Sequence, residues 1–168
     1  RLWLIYLGLT FVETLLLWIG GMTFYDAINH SLTTMATGGF STKNASIAYY
    51  TSPYIQYVII VFMFLAGTNF TMTYFALHKN FKKVLSNEEF RTYAGFSILA
   101  SIIVGLVIFN VGNESFEKSI RDALFQVVSV VTTTGYITAD YTSYTPFITA
   151  LFFFMMFFGA SAGSTAGG

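Results

Sequence analysis

TTMATGGFST, Thr33–Thr42, follows an amphipathic stretch too short to cross a membrane, and VVTTTGYITADY, Val130–Tyr141, does the same in the second half of the chain. Both runs put threonine and glycine where the surroundings are apolar. How the chain accommodates them decides the fold.

The surroundings are those of a membrane protein. Of 168 residues, 55% are hydrophobic and 10% charged, against about 25% charged in a soluble domain. Mean hydropathy is +0.64. Eight basic and eight acidic residues leave no net charge, so a basic groove for nucleic acid is excluded as a class. Without cysteine there is neither a disulfide framework nor a thiolate metal site. The chain opens at Arg1 and closes on GSTAGG, which reads as an internal piece of a longer protein.

Four apolar segments are expected to span. Tyr54–Leu77 is uncharged and would be about 36 Å long as one helix, against a hydrocarbon core of about 30 Å. Leu2–Met22 carries one charge, Glu13, and Tyr93–Val111 none. Pro146–Phe158 is apolar before the chain turns small and polar. Between them, Phe24–Ala36 and Phe116–Val131 are half-length helices, each leading into a Thr-Gly run and then a proline that opens the next span. The expected class is an all-α integral membrane protein of tandem span–pore-loop–span repeats.

The halves read as copies. A shift of 96 residues places Asp26-Ala27 on Asp122-Ala123, Thr37 on Thr133, Gly39 on Gly135, Phe40 on Tyr136 and Thr42 on Thr138, and Ala66-Gly67-Thr68 on Ala162-Gly163-Ser164. The first repeat is expected over residues 1–77, a connecting segment over 78–91, and the second repeat over 92–168. Lys79, Lys82, Lys83 and Arg91 make the connecting segment the cytoplasmic one by the positive-inside rule, so both loops dip in from outside.

Irregular backbone at membrane depth is tolerated only where protein buries it or it lines a water-filled path. A half-helix entering and leaving on one side aims its partly negative C-terminal end at mid-membrane. Loop carbonyls there could replace the hydration shell of a cation, and glycine lets the backbone turn them inward. The physics points to a cation pore.

TGGF (Thr37–Phe40) and TTGY (Thr133–Tyr136) resemble the T-V-G-Y core of a potassium-channel filter. With AGTNF (Ala66–Phe70), DALFQVVSVVTTTGYITADY and GASAGSTAGG, the chain resembles the Trk/Ktr/HKT superfamily of potassium transporters, and most nearly the bacterial TrkH-type membrane subunits. The resemblance implies four span–pore–span repeats around one pore, of which this chain holds the second and third. It implies that Thr37, Gly38, Gly39 and Phe40, with Thr133, Thr134, Gly135 and Tyr136, line the potassium sites. It makes Gly159, Ala160, Ser161, Ala162 and Gly163, followed by Ser164, Thr165, Ala166, Gly167 and Gly168, an intramembrane gate loop. Leu65–Phe70 keeps bulkier residues after its Ala-Gly, so only the second repeat is expected to open.

The resemblance further implies membrane lipid and the remaining repeats of the same protein as neighbours, a homodimer, and a cytoplasmic nucleotide-binding regulatory subunit. Potassium is the ion, with no organic cofactor and no enzymatic activity, and the location is the bacterial inner membrane with the filter loops facing outside. Two alternatives stand beside it. One is a double-pore subunit of a potassium channel. The other is an intramembrane serine hydrolase, since GASAG at Gly159–Gly163 fits G-x-S-x-G with Ser161 as nucleophile. That motif needs a strand-to-helix turn and a partnered histidine, which the sequence does not offer.

Four further residues carry expectations. Asp26 and Asp122 should favour the N-terminal ends of the half-helices, with His30 and Gln126 as polar packing behind the loops. Asp140 is either a cation-concentrating charge at the outer mouth or a plain solvated one. Glu13, a carboxyl inside a span, either pairs with a residue of a missing repeat or lies on the ion pathway.

Overall fold

Helix α1 (Leu2–Ile19) ends at Gly20-Gly21, and Thr23 restarts the chain by capping α2 (Phe24–Met35). The Thr23 hydroxyl accepts the Asp26 N–H at 3.1 Å and donates to the Asp26 carboxylate at 2.8 Å. A short 3-10 turn, Ser46–Tyr49, follows the first Thr-Gly run. Pro53, free of any need to donate, opens α3 (Pro53–Ala66). Next come α4 (Phe70–Leu77), α5 (Phe81–Ser86), α6 (Glu88–Val111), α7 (Phe116–Val131) and α8 (Pro146–Met155). The computed structural model describes residues 2–111, 114–140 and 145–167, and among these there is no strand.

Two helical hairpins, α1 with α2 and α6 with α7, repeat one arrangement, and α3 packs across onto α7 to join them. Helix α7 serves both cores. Phe125 and Val128 pack with Leu17, Ile59, Met63 and Tyr136, while Ala123, Val127 and Val131 pack with Val104, Ile108, Ile148 and Phe152. Helix α6 is apolar all round. Ser97, Ala100, Val104 and Ile108 are buried, and Ile98, Leu99, Ile102 and Leu106 are exposed on the far side, the composition of a helix meant for lipid or for more protein. It is long and apolar enough to cross a membrane.

Two expectations are corrected. Residues 54–77 are not one helix: α3 and α4 meet at an angle of 114° across Gly67, Thr68 and Asn69. Hydropathy counts side chains and is blind to the backbone partners that make this break possible (described below). Both halves therefore break, but out of register: α3 ends at Ala66, whereas α8 ends at Met155 rather than at the matching Ala162. The connecting segment is also structured, since α5 and the first turn of α6 fall within 78–91.

Gly105 lies where α6 crosses α7. A side-chain carbon there would sit 2.6 Å from Ile120 Cδ1 and 3.5 Å from Ala123 Cβ. Gly105→Ala asks only that the end of Ile120 rotate. Gly105→Leu must push the helices apart, and thermal unfolding in detergent should show it less stable than wild type by roughly 1–3 kcal/mol.

Candidate functional site

The two Thr-Gly runs fold alike, atom for atom. At the end of α2, Ala36 N–H donates to Leu32 O at 3.1 Å, Thr37 N–H to Thr34 O at 2.9 Å and Gly38 N–H to Thr33 O at 2.7 Å. At the end of α7, Thr132 N–H donates to Val128 O at 2.9 Å, Thr133 N–H to Val130 O at 3.0 Å and Thr134 N–H to Ser129 O at 2.9 Å. Each bond is repeated 96 residues on. So is the next: the Thr33 hydroxyl donates to Phe40 O at 2.9 Å, and the Ser129 hydroxyl to Tyr136 O at 2.7 Å.

The backbone then turns left-handed twice in each run, at Thr37 (φ 49°) and Gly39 (φ 64°), and at Thr133 (φ 57°) and Gly135 (φ 85°). For a β-branched threonine this conformation is strained by about 1–2 kcal/mol, and such strain concentrates at functional sites. Left-handed residues at every second position rotate alternate peptide planes, so that consecutive carbonyls can face one side rather than alternating as in a strand.

The loops meet. A side-chain carbon on Gly39 would overlap the Thr134 carbonyl oxygen and come within 3.2 Å of the Gly135 carbonyl carbon. The Tyr136 ring reaches under α2, where its hydroxyl lies 2.5 Å from the Thr33 hydroxyl and 3.1 Å from His30 O. Tyr136 is 1% exposed and its counterpart Phe40 is 76% exposed. The aromatic of the second loop has the first half-helix to pack on, whereas that of the first faces away from this chain.

Each run is stapled as it returns. Asp26 accepts from Thr42 at 2.5 Å and pairs with Lys43 at 3.2 Å, and Asp122 accepts from Thr138 at 3.2 Å. Burial alone would raise the Asp26 carboxyl, but the hydrogen bonds from Thr42, Thr23 and Lys43 outweigh it and hold it below the ordinary carboxylate range. Asp122 has no such set, and burial pushes it up. The expectation that both aspartates sit at helix N-terminal ends holds for Asp26 alone. Helix α7 starts a turn earlier, at Phe116, with Glu117 in its first turn. His30 is fully buried, its Nδ1–H donating to Asp26 O at 2.7 Å and its Nε2 accepting from Ser41 at 2.9 Å. Gln126 donates to Ala139 O at 3.1 Å. Asp140 lies exposed at the end of the second run.

The terminal loop, described from Gly159 to Gly167 with Gly168 outside the described residues, docks into the break between α3 and α4. Ser161 N–H donates to Gly67 O at 3.0 Å, Thr165 N–H to Ala66 O at 3.3 Å and Phe70 N–H to Gly163 O at 3.3 Å. Asn69 grips it through Ala162 O at 2.7 Å, and Glu89 accepts the Ala162 N–H at 2.5 Å. The Thr37 hydroxyl reaches Thr165 O at 3.3 Å, so the loop also touches the base of the first run. Gly67 must be glycine for space, since a side-chain carbon would come 2.6 Å from Thr132 Cγ2 and 2.7 Å from the Tyr93 hydroxyl.

Ser161 is buried. The hydrogen bonds of His30 lie within its own loop, and His78 is bonded to Tyr74 O at 2.9 Å, so neither histidine is bonded to Ser161. Sequence reasoning missed Asn69, Glu89 and the Tyr136 tie. It could have found Thr33 and Ser129, two hydroxyls in the 96-residue register.

The family model for the cation transport protein TrkH matches residues 1–168. The chain belongs to the TrkH family. It is 40% identical to the Trk system potassium uptake protein TrkH of Escherichia coli K12, over 99% of this chain and 35% of that protein. The Trk system potassium uptake protein TrkG of the same strain is 30% identical, over 89% of this chain and 31% of its own length. The crystal structure of the potassium transporter TrkH from Vibrio parahaemolyticus superposes with a TM-score of 0.91 at 36% identity, covering 98% of this chain and 36% of that one. This TrkH-family chain thus spans about a third of the length of its relatives.

A carboxyl held below its usual range stabilises the fold above the unfolded value, near pH 4, and loses that contribution only as pH falls through the lower folded value. Asp26→Asn should therefore destabilise equally at pH 6 and pH 8, by about 1–3 kcal/mol. A penalty that differs between those pH values in thermal unfolding would contradict the ionised staple.

Proposed function

We propose that this chain forms two of the four walls of a potassium-selective pore in an integral membrane uptake protein. Ions pass down their electrochemical gradient through the carbonyl cage of Thr37–Phe40 and Thr133–Tyr136. The observation that carries the reading is the pair of identically folded, doubly left-handed loops set against each other at Gly39 and Thr134. Carbonyls so turned can replace the hydration shell of a monovalent cation without any covalent chemistry. The Thr37 and Thr134 hydroxyls are drawn into the frame, onto Thr165 O and the Thr132 hydroxyl. The similarity to Trk system potassium uptake proteins supports potassium as the ion.

The relatives' threefold greater length supports a pore completed by further repeats of the same polypeptide. The exposed Phe40 is then the face that the next repeat covers. The lysines of the connecting segment support a cytoplasmic α4–α6 end and loops open to the outside, in a bacterial inner membrane. The whole protein would act as a homodimer with a cytoplasmic nucleotide-binding partner subunit, and the relatives' description as components of a Trk system supports assembly with other subunits.

The filter is tested in the full-length transporter by rubidium and sodium uptake. Gly135→Ala meets no neighbour but forces a left-handed alanine, and at about 1–2 kcal/mol the rubidium-to-sodium ratio should fall roughly tenfold. Gly39→Ala adds the overlap with Thr134 and should be the worse of the two. Unchanged ratios in well-inserted protein would refute the filter.

The terminal loop is proposed as the gate, held shut by Asn69 and Glu89 on either side of the Ala162 peptide. Asn69→Ala with Glu89→Ala should raise basal rubidium flux severalfold, each lost hydrogen bond being worth about 1 kcal/mol, and should leave the ion ratio unchanged. A shifted ratio, or unaltered flux, would count against this latch.

A further inference from the structure

In the crook of the bend between α3 and α4 lies a cleft of about 320 Å³, flanked on its other sides by α5 and the first turn of α6. Its walls are hydrocarbon. The two threonines that line it turn their hydroxyls onto their own backbone, Thr68 to Phe64 O at 2.8 Å and Thr73 to Asn69 O at 3.5 Å. No polar atom of these walls faces the space. A cleft that offers water no partner is suited to an apolar guest. Phe81 and Leu85 stand at its mouth, on one face of α5. They are 57% and 64% exposed, while Val84 between them is buried. Large apolar side chains exposed around an apolar cleft mark a surface that something covers.

The charges beside the cleft say what covers it. The segment from His78 to Arg91 carries four basic residues against two acidic ones. Lys79, Lys82 and Lys83 cluster at the turn from α4 into α5, and none of them forms a salt bridge among the described residues. Of the acidic pair, Glu89 already accepts the Ala162 N–H. Lys79 is left-handed (φ 57°), and the chain reverses so that Asn80 N–H donates to Phe75 O at 2.9 Å. The Lys83 ammonium comes to lie 4.7 Å from the centre of the Phe75 ring. The turn thus holds three cations beside a cleft walled by hydrocarbon. An acidic protein surface would answer the lysines and leave the cleft empty, and a neutral lipid would do the reverse. An anionic phospholipid answers both, with its chain among apolar walls and its headgroup among ammonium groups that reach out on long stems.

We propose that this cleft is a site for one anionic phospholipid of the cytoplasmic leaflet, with an acyl chain between α4 and α5 and the phosphate against Lys79, Lys82 and Lys83. This rests on the reading of the chain as a membrane protein whose connecting segment is cytoplasmic, and is independent of the filter. The site adjoins the α3–α4 break to which the terminal loop is bonded, since Thr68 belongs to both.

The test is photolabelling of the full-length transporter in phosphatidylcholine vesicles. The probes are phosphatidylglycerol and phosphatidylcholine, each carrying a diazirine on one acyl chain, and adducts are mapped by mass spectrometry of peptides. Phosphatidylglycerol should label residues 64–90 roughly tenfold more than phosphatidylcholine does, whereas the exposed face of α6, with Leu99 and Ile102, should take both probes alike. Lys79→Gln with Lys82→Gln and Lys83→Gln should abolish that preference. Because lysines also orient a membrane protein, Ala76→Phe serves as a second variant. It fills the cleft with every charge in place, and should lower labelling of residues 64–90 severalfold without altering that of α6. Equal labelling by the two probes, a preference that survives loss of the lysines, or no effect of Ala76→Phe would each overturn the site. If α6 is labelled and residues 64–90 by neither probe, protein covers the cleft, and the proposal fails while the membrane reading stands. If α6 is unlabelled as well, the membrane reading fails with it.

Discussion

The constraint on which the structure depends is the pairing of backbone groups wherever the chain leaves a helix in apolar surroundings. It does so after α2, after α7, after α8, and at the break between α3 and α4. In the loops, the freed N–H groups turn back onto the preceding helix, and one hydroxyl, from Thr33 or Ser129, receives the far end of the loop. At the break, Ala66 and Gly67 carbonyls that a straight helix would bond within itself are taken by Ser161 and Thr165. Two helix interruptions solve each other. Neither would be affordable alone in a medium without water.

That mutual solution links the proposed gate to the proposed filter. The terminal loop is bonded to the α3–α4 break on one side and reaches Thr37 on the other. Asn69 and Glu89 hold one peptide of it from two helices. Glu89 lies in the first turn of α6, within the basic connecting segment, so a displacement of that segment would bear directly on the loop. The coupling is mechanical and short-ranged, through named hydrogen bonds.

The two halves follow one hydrogen-bonding plan around their Thr-Gly runs, and departures from it mark where they differ. Helix α7 has an extra turn at its start, so Asp122 sits within the helix rather than at its N-terminal end and accepts from Thr138. Tyr136 is buried and tied to α2, while Phe40 is exposed. The first half-helix meets its span through the Thr14 and Ser31 hydroxyls, 2.5 Å apart, the second through valines and isoleucine. Polar contacts fix one register and penalise all others, whereas apolar ones tolerate sliding. The first loop is accordingly the more rigidly indexed of the two.

The sequence by itself determined the helical class, the two half-helices, the Thr-Gly runs and the register that relates them. All of these follow from local hydropathy, from glycine and proline placement, and from a repeat visible by sliding the chain on itself. It placed the final break at Gly159, whereas α8 ends at Met155, with Met156, Phe157 and Phe158 already outside the helix. The tertiary structure alone decided that residues 54–77 bend, that Asp26 and Asp122 have different roles, and that Glu13 is sealed within this chain. It also decided that Tyr136 belongs as much to the first half-helix as to its own loop. The physical reason is distance along the chain. Ala66 finds Thr165, Asn69 finds Ala162 and Tyr136 finds His30 across separations of 99, 93 and 106 residues, and a hydrogen-bond partner so remote leaves no trace in the composition of either segment.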